Sequence, residues 1–273
     1  MTRPLRIEFP GAIHHVMSRG INRQRIYLGR PDYDAFLREL LDCVRRFEWR
    51  CLAYCLMDNH FHLLIETPQA NLNFGMRDLK SGYAFGLNRR HGTSGPRFGE
   101  RYKAKLVQDG SYLLAVARYI ALNPVRANLA MRAEDYEWGS YRLLAAGEPS
   151  RLVDEASLLA RLAPDIEDAR RYFVQLVADG SGLPAYDAKR SIFGDVDFVS
   201  AHSPVEPPQQ PVARAAWNEA RPAISQVIAG RSREEAIRAA RITYRYTLRE
   251  IAEALGCSTE TVRRVMRTWD VRT

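Results

Sequence analysis

Cysteine is scarce in this chain of 273 residues: Cys43, Cys51, Cys55 and Cys257 are all it has. Four thiols form no disulfide framework for a protein of this size, which points to a reducing cytosol. Long apolar runs are missing too. Met1-Thr2-Arg3-Pro4-Leu5 leads into charged residues with no apolar signal segment, and no stretch is long enough to span a bilayer. A cytoplasmic, nucleoid-associated protein with no membrane partner is expected. Negative charge is the third deficit: 32 acidic residues stand against 40 basic ones, giving +8 and an isoelectric point near 9.5. An arginine-heavy excess favours a polyanionic partner, nucleic acid before an acidic membrane surface.

What the chain does have is organised around residues 54–66, Tyr-Cys-Leu-Met-Asp-Asn-His-Phe-His-Leu-Leu-Ile-Glu. The apolar flanks favour strands, and Met57-Asp58-Asn59 breaks them as a tight turn would. Successive side chains on a strand point to opposite faces, so His60 and His62 project together while Phe61 points into the core. Two imidazoles on one sheet face, roughly 7 Å apart along the strand, can hold one divalent metal; they can equally be a half-buried structural pair. Cys51 and Cys55 precede them, but that spacing matches no common zinc pattern.

Periodicity places the neighbouring elements. Residues 12–20 read as a first strand. Residues 32–47 read as a helix, with Tyr33, Phe36, Leu37, Leu40, Leu41 and Val44 recurring at three and four. Residues 51–57 and 60–66 read as two strands, and 72–87 as a second amphipathic helix. Strand, helix, strand, strand, helix predicts an α+β fold, a small antiparallel or mixed sheet with helices packed on it.

From Lys80 to Val107 the chain is basic. Lys80, Arg89, Arg90, Arg97, Arg101, Lys103 and Lys105 face a single acid, Glu100, with Tyr83, Phe85, Phe98 and Tyr102 interleaved. Cations neutralise phosphates and aromatic faces stack unpaired bases; the plainer alternative is a solvated cationic surface over core aromatics. Residues 111–122 form the next helix, ended by Asn123-Pro124 because the residue before proline leaves the α region. Tyr119 and Asn123, four apart, share one side of that helix end. Asn123 offers an oxygen to a hard cation. A Tyr119 phenolate beside a metal-bound phosphate would conserve phosphodiester energy as a covalent link. Taken singly, Tyr119 is an amphipathic-helix residue and Asn123 a cap.

In order along the chain stand His60-Phe61-His62, then Arg97-Phe98 with Arg101-Tyr102-Lys103, then Tyr119-Ile-Ala-Leu-Asn123-Pro-Val-Arg126-Ala127. With His15-Val-Met-Ser-Arg19-Gly-Ile-Asn22 at the front, this resembles the single-tyrosine HUH transposases, specifically the branch associated with repetitive extragenic palindromes (REP). The likeness is dense over residues 7–145 and thinner from Tyr172-Phe173-Val174 to 193–199. It implies a ferredoxin-like or RRM-like antiparallel sheet. It further implies His60, His62 and Asn123 binding Mg²⁺ or Mn²⁺. Tyr119 would attack single-stranded hairpin DNA, leaving a 5′-phosphotyrosine and a free 3′-OH. Arg19, Asn22 and Arg126 join the DNA-contacting set by the same likeness. Tyr83 is the rival nucleophile but lacks a ligand neighbour at i+4. Asp58 stands where the family often has proline, adding a carboxylate that could tune the metal.

The remainder divides by composition. The catalytic domain is expected over 1–145 and a helical extension over 146–202, with 154–180 helical. A Pro-rich linker follows at 203–215, then a C-terminal all-α helix-turn-helix region at 216–273. There Ala252 is small where helices cross, Gly256 turns, Ser258 caps and Val262 and Val265 face inward. Arg263, Arg264 and Arg267 would then reach phosphates or major-groove edges of duplex DNA; a protein-contact bundle is the alternative. Two functions compete: a DNA-cleaving strand transferase, working as monomer or homodimer, and a non-catalytic DNA-binding regulator on the same fold.

Overall fold

The computed structural model describes residues 7–187, 189–203, 223–243 and 246–268. It divides into two compact units, Met1–Ser203 and Pro204–Thr273. The first begins β1 (Ala12–Arg19), α1 (Arg30–Arg46), β2 (Arg50–Met57), β3 (His60–Thr67), α2 (Leu72–His91) and β4 (Lys103–Val107). The strands order as β2-β3-β1-β4, each pair antiparallel. That is the ferredoxin-like order, an α+β fold. A short β5 (Ile192–Phe193) adds to β4 in parallel, so the sheet is mixed.

Two elements depart from the sequence reading. β4 lies inside the stretch read only for its charge and aromatics, although Lys103 and Lys105 alternating with Ala104 and Leu106 follow the strand period of two. The helix expected over 154–180 is two helices, α6 (Glu155–Leu159) and α7 (Ile166–Asp179). Pro164 separates them, and the Asp165 side chain accepts from the Glu167 and Asp168 amides to start α7. Between β4 and α6 come α3 (Ser111–Ala121), α4 (Asn123–Arg126) and α5 (Tyr141–Ala146); α8 (Val196–His202) closes the unit.

Alternation along the strands makes two cores. On one face Phe61 is fully buried against Phe36 of α1, 4.9 Å between ring centroids, and Phe36 meets Tyr83 of α2 edge-on at 5.1 Å. The other face is covered by α3, apolar nearly all round, with Leu113, Val116, Ala117 and Ile120 buried among Ile13, Cys55, Met57 and Leu64. α7 packs outside α3 through Phe173, Leu176 and Val177. Residues 146–203 therefore share a core with the sheet.

The second unit holds α9 (Ile224–Ile228), α10 (Arg233–Arg238), α11 (Leu248–Ala254) and α12 (Thr259–Thr268) around Val227, Ile237, Ile251 and Val262. Ser232 and Thr247 each close a capping box, with Glu235 and Glu250. Positions 204–215 of the expected linker, and Trp269, lie outside the described residues.

Candidate active site

Register builds the site. In an antiparallel sheet directly opposed residues share a face. β1 opposes β3 as Met17 to His62 and Arg19 to His60, and β4 as His15 to Lys105 and Met17 to Lys103. His60, His62, His15, Arg19 and Lys103 therefore stand on the face that α3 covers, toward the β2–β3 turn. Here α3 ends and the sheet opens into a cleft of about 680 Å³, lined by His60, His62, Tyr119 and Asn123. Arg19, Asn22, Arg101 and Lys103 line it too, with Arg23 and Glu100.

The loop after β1 needs an unusual backbone. Asn22 and Arg23 are left-handed, at φ 50° and 60°. A Cβ at Gly20 would sit 2.2 Å from the Gln24 carbonyl oxygen, so only glycine allows the approach. Asn59 of the β2–β3 turn donates to the Arg23 carbonyl at 2.9 Å, and Ile21 and Gly99 donate backbone bonds to the Arg97 and Arg19 carbonyls. The cationic rim is thus tied to the strand bearing the histidines.

The two imidazoles lie 5.0 Å apart, nearly perpendicular. His60 is hydrogen-bonded through Nδ1 to Asn59 Oδ1 at 2.7 Å. Burial, then the Arg19 charge, pushes His60 down to about 4, against a smaller pull from Asp58. His62 is buried, and burial followed by His15, His60 and Arg19 holds it well below the usual histidine range. Both rings are neutral at physiological pH, the state that binds a metal. His62 Nε2 is buried without a hydrogen-bond partner among the described residues. A buried polar atom left alone costs about 1–3 kcal/mol, and a cation accepting its lone pair would remove that cost. With an amide oxygen at Asn123, the donor set fits a divalent ion with open positions, although no three His, Cys, Asp or Glu among the described residues cluster for one.

Tyr119 comes off the last turn of α3. Its ring lies 5.8 Å from His62, and the Arg126 guanidinium sits 4.9 Å from its centroid. Asn123 is buried and donates through Nδ2 to the Tyr119 carbonyl at 2.8 Å. Tyr83 is elsewhere: buried in the aromatic core, it donates its hydroxyl to the Ile26 carbonyl. Asp58 is not among the residues lining the cleft; it accepts from the Tyr33 hydroxyl at 3.1 Å and pairs with Arg25.

Several expected DNA contacts are employed otherwise. Lys105 is buried and donates to the Arg190 carbonyl at 2.6 Å; burial outweighs Asp187 and lowers its pKa. Arg90 donates to buried Asp32 at 3.0 Å. Arg97 donates to Asn88 and Thr93, bracing its own loop. Lys80 donates to the Glu100 carbonyl at 2.7 Å, lies over Phe98 and is not among the residues lining the cleft. Arg89 is exposed on α2 and does not line the cleft. Arg263 and Arg264 are exposed on α12 in the second unit; the Arg267 side chain lies outside the described residues.

Two side chains were not singled out from sequence. His15 is fully buried and hydrogen-bonded through Nε2 to His62 Nδ1 at 2.9 Å. Tyr186 is hydrogen-bonded to His15 Nδ1 at 2.5 Å and packs on Tyr119 at 4.4 Å. His15 could have been found by placing β1 beside β3; nothing local marks Tyr186.

No curated protein matches the chain. Among solved structures it is similar to a REP-associated tyrosine transposase bound to a REP hairpin. That likeness has 16% identity, covers 61% of this chain and 93% of that one, and gives a TM-score of 0.47. It is also similar to a protein of Deinococcus radiodurans r1 assigned as a transposase, with 17% identity, coverage of 47% and 92%, and a TM-score of 0.32. The family model described as "Transposase IS200 like" matches residues 10–123. That span, less than half of the chain, runs from the sheet to Asn123, and over it the chain is similar to that family.

Proposed function

We propose that the protein is a transposase: a metal-dependent single-stranded DNA endonuclease and strand transferase acting at palindromic, REP-type hairpins, with Tyr119 as nucleophile. The observation that carries this reading is that Tyr119, His60, His62 and Asn123 line one cleft whose rim is Arg19, Arg101 and Lys103. His60, His62 and Asn123 would hold Mg²⁺ or Mn²⁺. Bound there, the ion would supply Lewis-acid polarisation of the scissile phosphate. Arg19, Arg101 and Lys103 neutralise the strand entering the cleft. Tyr119 Oη forms the bond to phosphorus, the bond from phosphorus to the 3′-side oxygen breaks, and the phenolic proton passes through solvent to that oxygen. A 5′-phosphotyrosine and a 3′-OH result, and attack by another 3′-OH reverses the step and transfers the strand.

A second reading has its own observation. α11, the turn at Gly256 and α12 are held by the Thr247 capping box, the Ser258 side chain accepting from the Thr261 amide, and fully buried Val262. Arg263 and Arg264 are left exposed, an arrangement suited to duplex DNA. The test for both is a labelled hairpin from palindromes flanking the gene, incubated with Mn²⁺ or chelator and run on a denaturing protein gel. A metal-dependent adduct, mapped to Tyr119 and lost in Tyr119→Phe while hairpin binding survives, supports the enzyme. Tight hairpin binding without adduct under any metal favours the regulator.

A further inference from the structure

The chain His62–His15–Tyr186 runs from the cleft into the protein and ends on a residue beyond the family-matched segment. We propose that His15 and Tyr186 are positioning residues that fix the His62 tautomer, presenting its Nε2 lone pair to the metal. This rests on the reading of His62 as a ligand.

Proton counting selects the direction of the chain. Two neutral imidazoles and a phenol in series can orient their protons in only two ways. If Tyr186 donates to His15 Nδ1, His15 donates through Nε2, and the remaining proton of His62 sits on Nε2. Ligation there is then blocked. If His62 donates through Nδ1 to His15 Nε2, His15 Nδ1 donates to the Tyr186 oxygen and His62 Nε2 carries a lone pair. Only the second direction is compatible with a metal, and only it matches the absence of a hydrogen-bond partner at buried Nε2 among the described residues with a use for that atom. The hydrogen bond on the far nitrogen decides which nitrogen ligates.

The relay is held from outside. Lys105, opposite His15 on β4, donates to the Arg190 and Asp187 carbonyls and lies 5.6 Å from the Tyr186 ring centroid. Phe193 of β5 meets the Tyr186 ring edge-on at 5.1 Å. Lys105 and Phe193 thus hold Tyr186 at the site, a role for the extension that composition does not disclose.

The experiment uses the full chain without DNA. Mn²⁺ affinity is measured by calorimetry for wild type, His62→Ala, His15→Leu, His15→Gln and Tyr186→Phe. The state of His62 Nε2 is read from imidazole ¹⁵N shifts in the metal-free protein. Tyr186→Phe keeps the ring on Tyr119 and removes only the hydroxyl. Loss of an outer partner costs metal affinity about 10–100-fold. We expect that loss in His15→Leu, about 10-fold in Tyr186→Phe, and recovery in His15→Gln, whose amide can accept and donate. The ¹⁵N signal should move from one tautomer toward a mixture in Tyr186→Phe, while hairpin binding in chelator stays within about two-fold. Wild-type Mn²⁺ affinity in both His15→Leu and Tyr186→Phe, with binding lost in His62→Ala, would overturn the relay and leave the ligand reading intact. If His62→Ala binds Mn²⁺ as wild type does, the ligand reading fails and the relay with it.

Discussion

Asn123 has two tasks that can be separated by substitution. Its Nδ2 donates at 2.8 Å to the Tyr119 carbonyl at the end of α3, and in the proposed site its oxygen faces the metal. Asn123→Ala removes both. Asn123→Asp removes the donor, sets a carboxylate against a carbonyl, and strengthens the ligand. Losing one donor to a partly buried carbonyl costs about 1–3 kcal/mol. For a unit the size of Met1–Ser203 each kcal/mol moves Tm by about 2–4 °C. Both metal-free variants should therefore melt about 2–12 °C below wild type. Metal separates them. An ion at 100 times its Kd adds about 2.7 kcal/mol to the folded state, so the Mn²⁺-induced rise measures the ligand set. It should shrink in Asn123→Ala and grow in Asn123→Asp. Differential scanning fluorimetry against a Mn²⁺ series is sufficient. If both variants show the wild-type rise, Asn123 does not reach the metal and serves only to close the helix.

Asp32 is buried and accepts from the Leu28 amide, Arg90 and His91. Burial alone would raise its carboxyl pKa; the Leu28, His91 and Arg90 donors outweigh that and hold it below the usual carboxylate range. A depressed folded pKa contributes stability above the unfolded value, lost as pH falls through the folded one. Urea melts should thus weaken below about pH 4, and Asp32→Asn should flatten that limb. Its neutral-pH cost should be about 1–3 kcal/mol, at the low end because Arg90 and His91 are each 34% exposed. A variant with the wild-type acid limb would show that the clasp is not the acid-sensitive element. On α12, Arg263→Ala and Arg264→Ala should each reduce the slope of log affinity against log salt for duplex DNA by about 1. They should leave hairpin cleavage unchanged; an unaltered slope would assign the second unit to another partner.

The sheet was legible because its signals are local. The strand, helix, strand, strand, helix order follows from periods of two and three to four. Sterics before Pro124 predict that Asn123 leaves the α region; α3 does end at Ala121, but Asn123 opens α4 with Pro124 in its first turn. β4 was less legible. Lys105 reads as surface charge, yet its ammonium is buried against the Arg190 carbonyl, a partner supplied by a chain reversal far along the sequence. Arg90 is the same kind of case: a cation on an amphipathic helix, committed to Asp32 of another helix. Charge counted along a chain overstates the charge available to DNA, and here the cations that line the cleft are those whose strands or loops pair beside His60.

The site was half legible for the same reason. His60, His62, Tyr119 and Asn123 could be grouped as candidates because i+2 on a strand and i+4 across a helix end each bring two side chains to one side. His15 and Tyr186 lie on other elements and meet His62 only through the β1–β3 register and the return of the chain to β5. A residue that contacts a ligand's far nitrogen needs no motif spacing, because tertiary packing alone sets its distance. If the relay holds, the tautomer of a histidine inside the family-matched segment is set from outside it, and a packing change there should reach the metal. Phe193 and Phe173 make a matched pair in the full chain: both are buried outside the segment, but only Phe193 touches Tyr186. Phe193→Leu and Phe173→Leu should cost comparable stability in urea melts, since each trims a buried aromatic ring. Mn²⁺ affinity should fall in Phe193→Leu alone. An equal fall in both would trace the effect to general loosening of the core rather than to the seat of Tyr186.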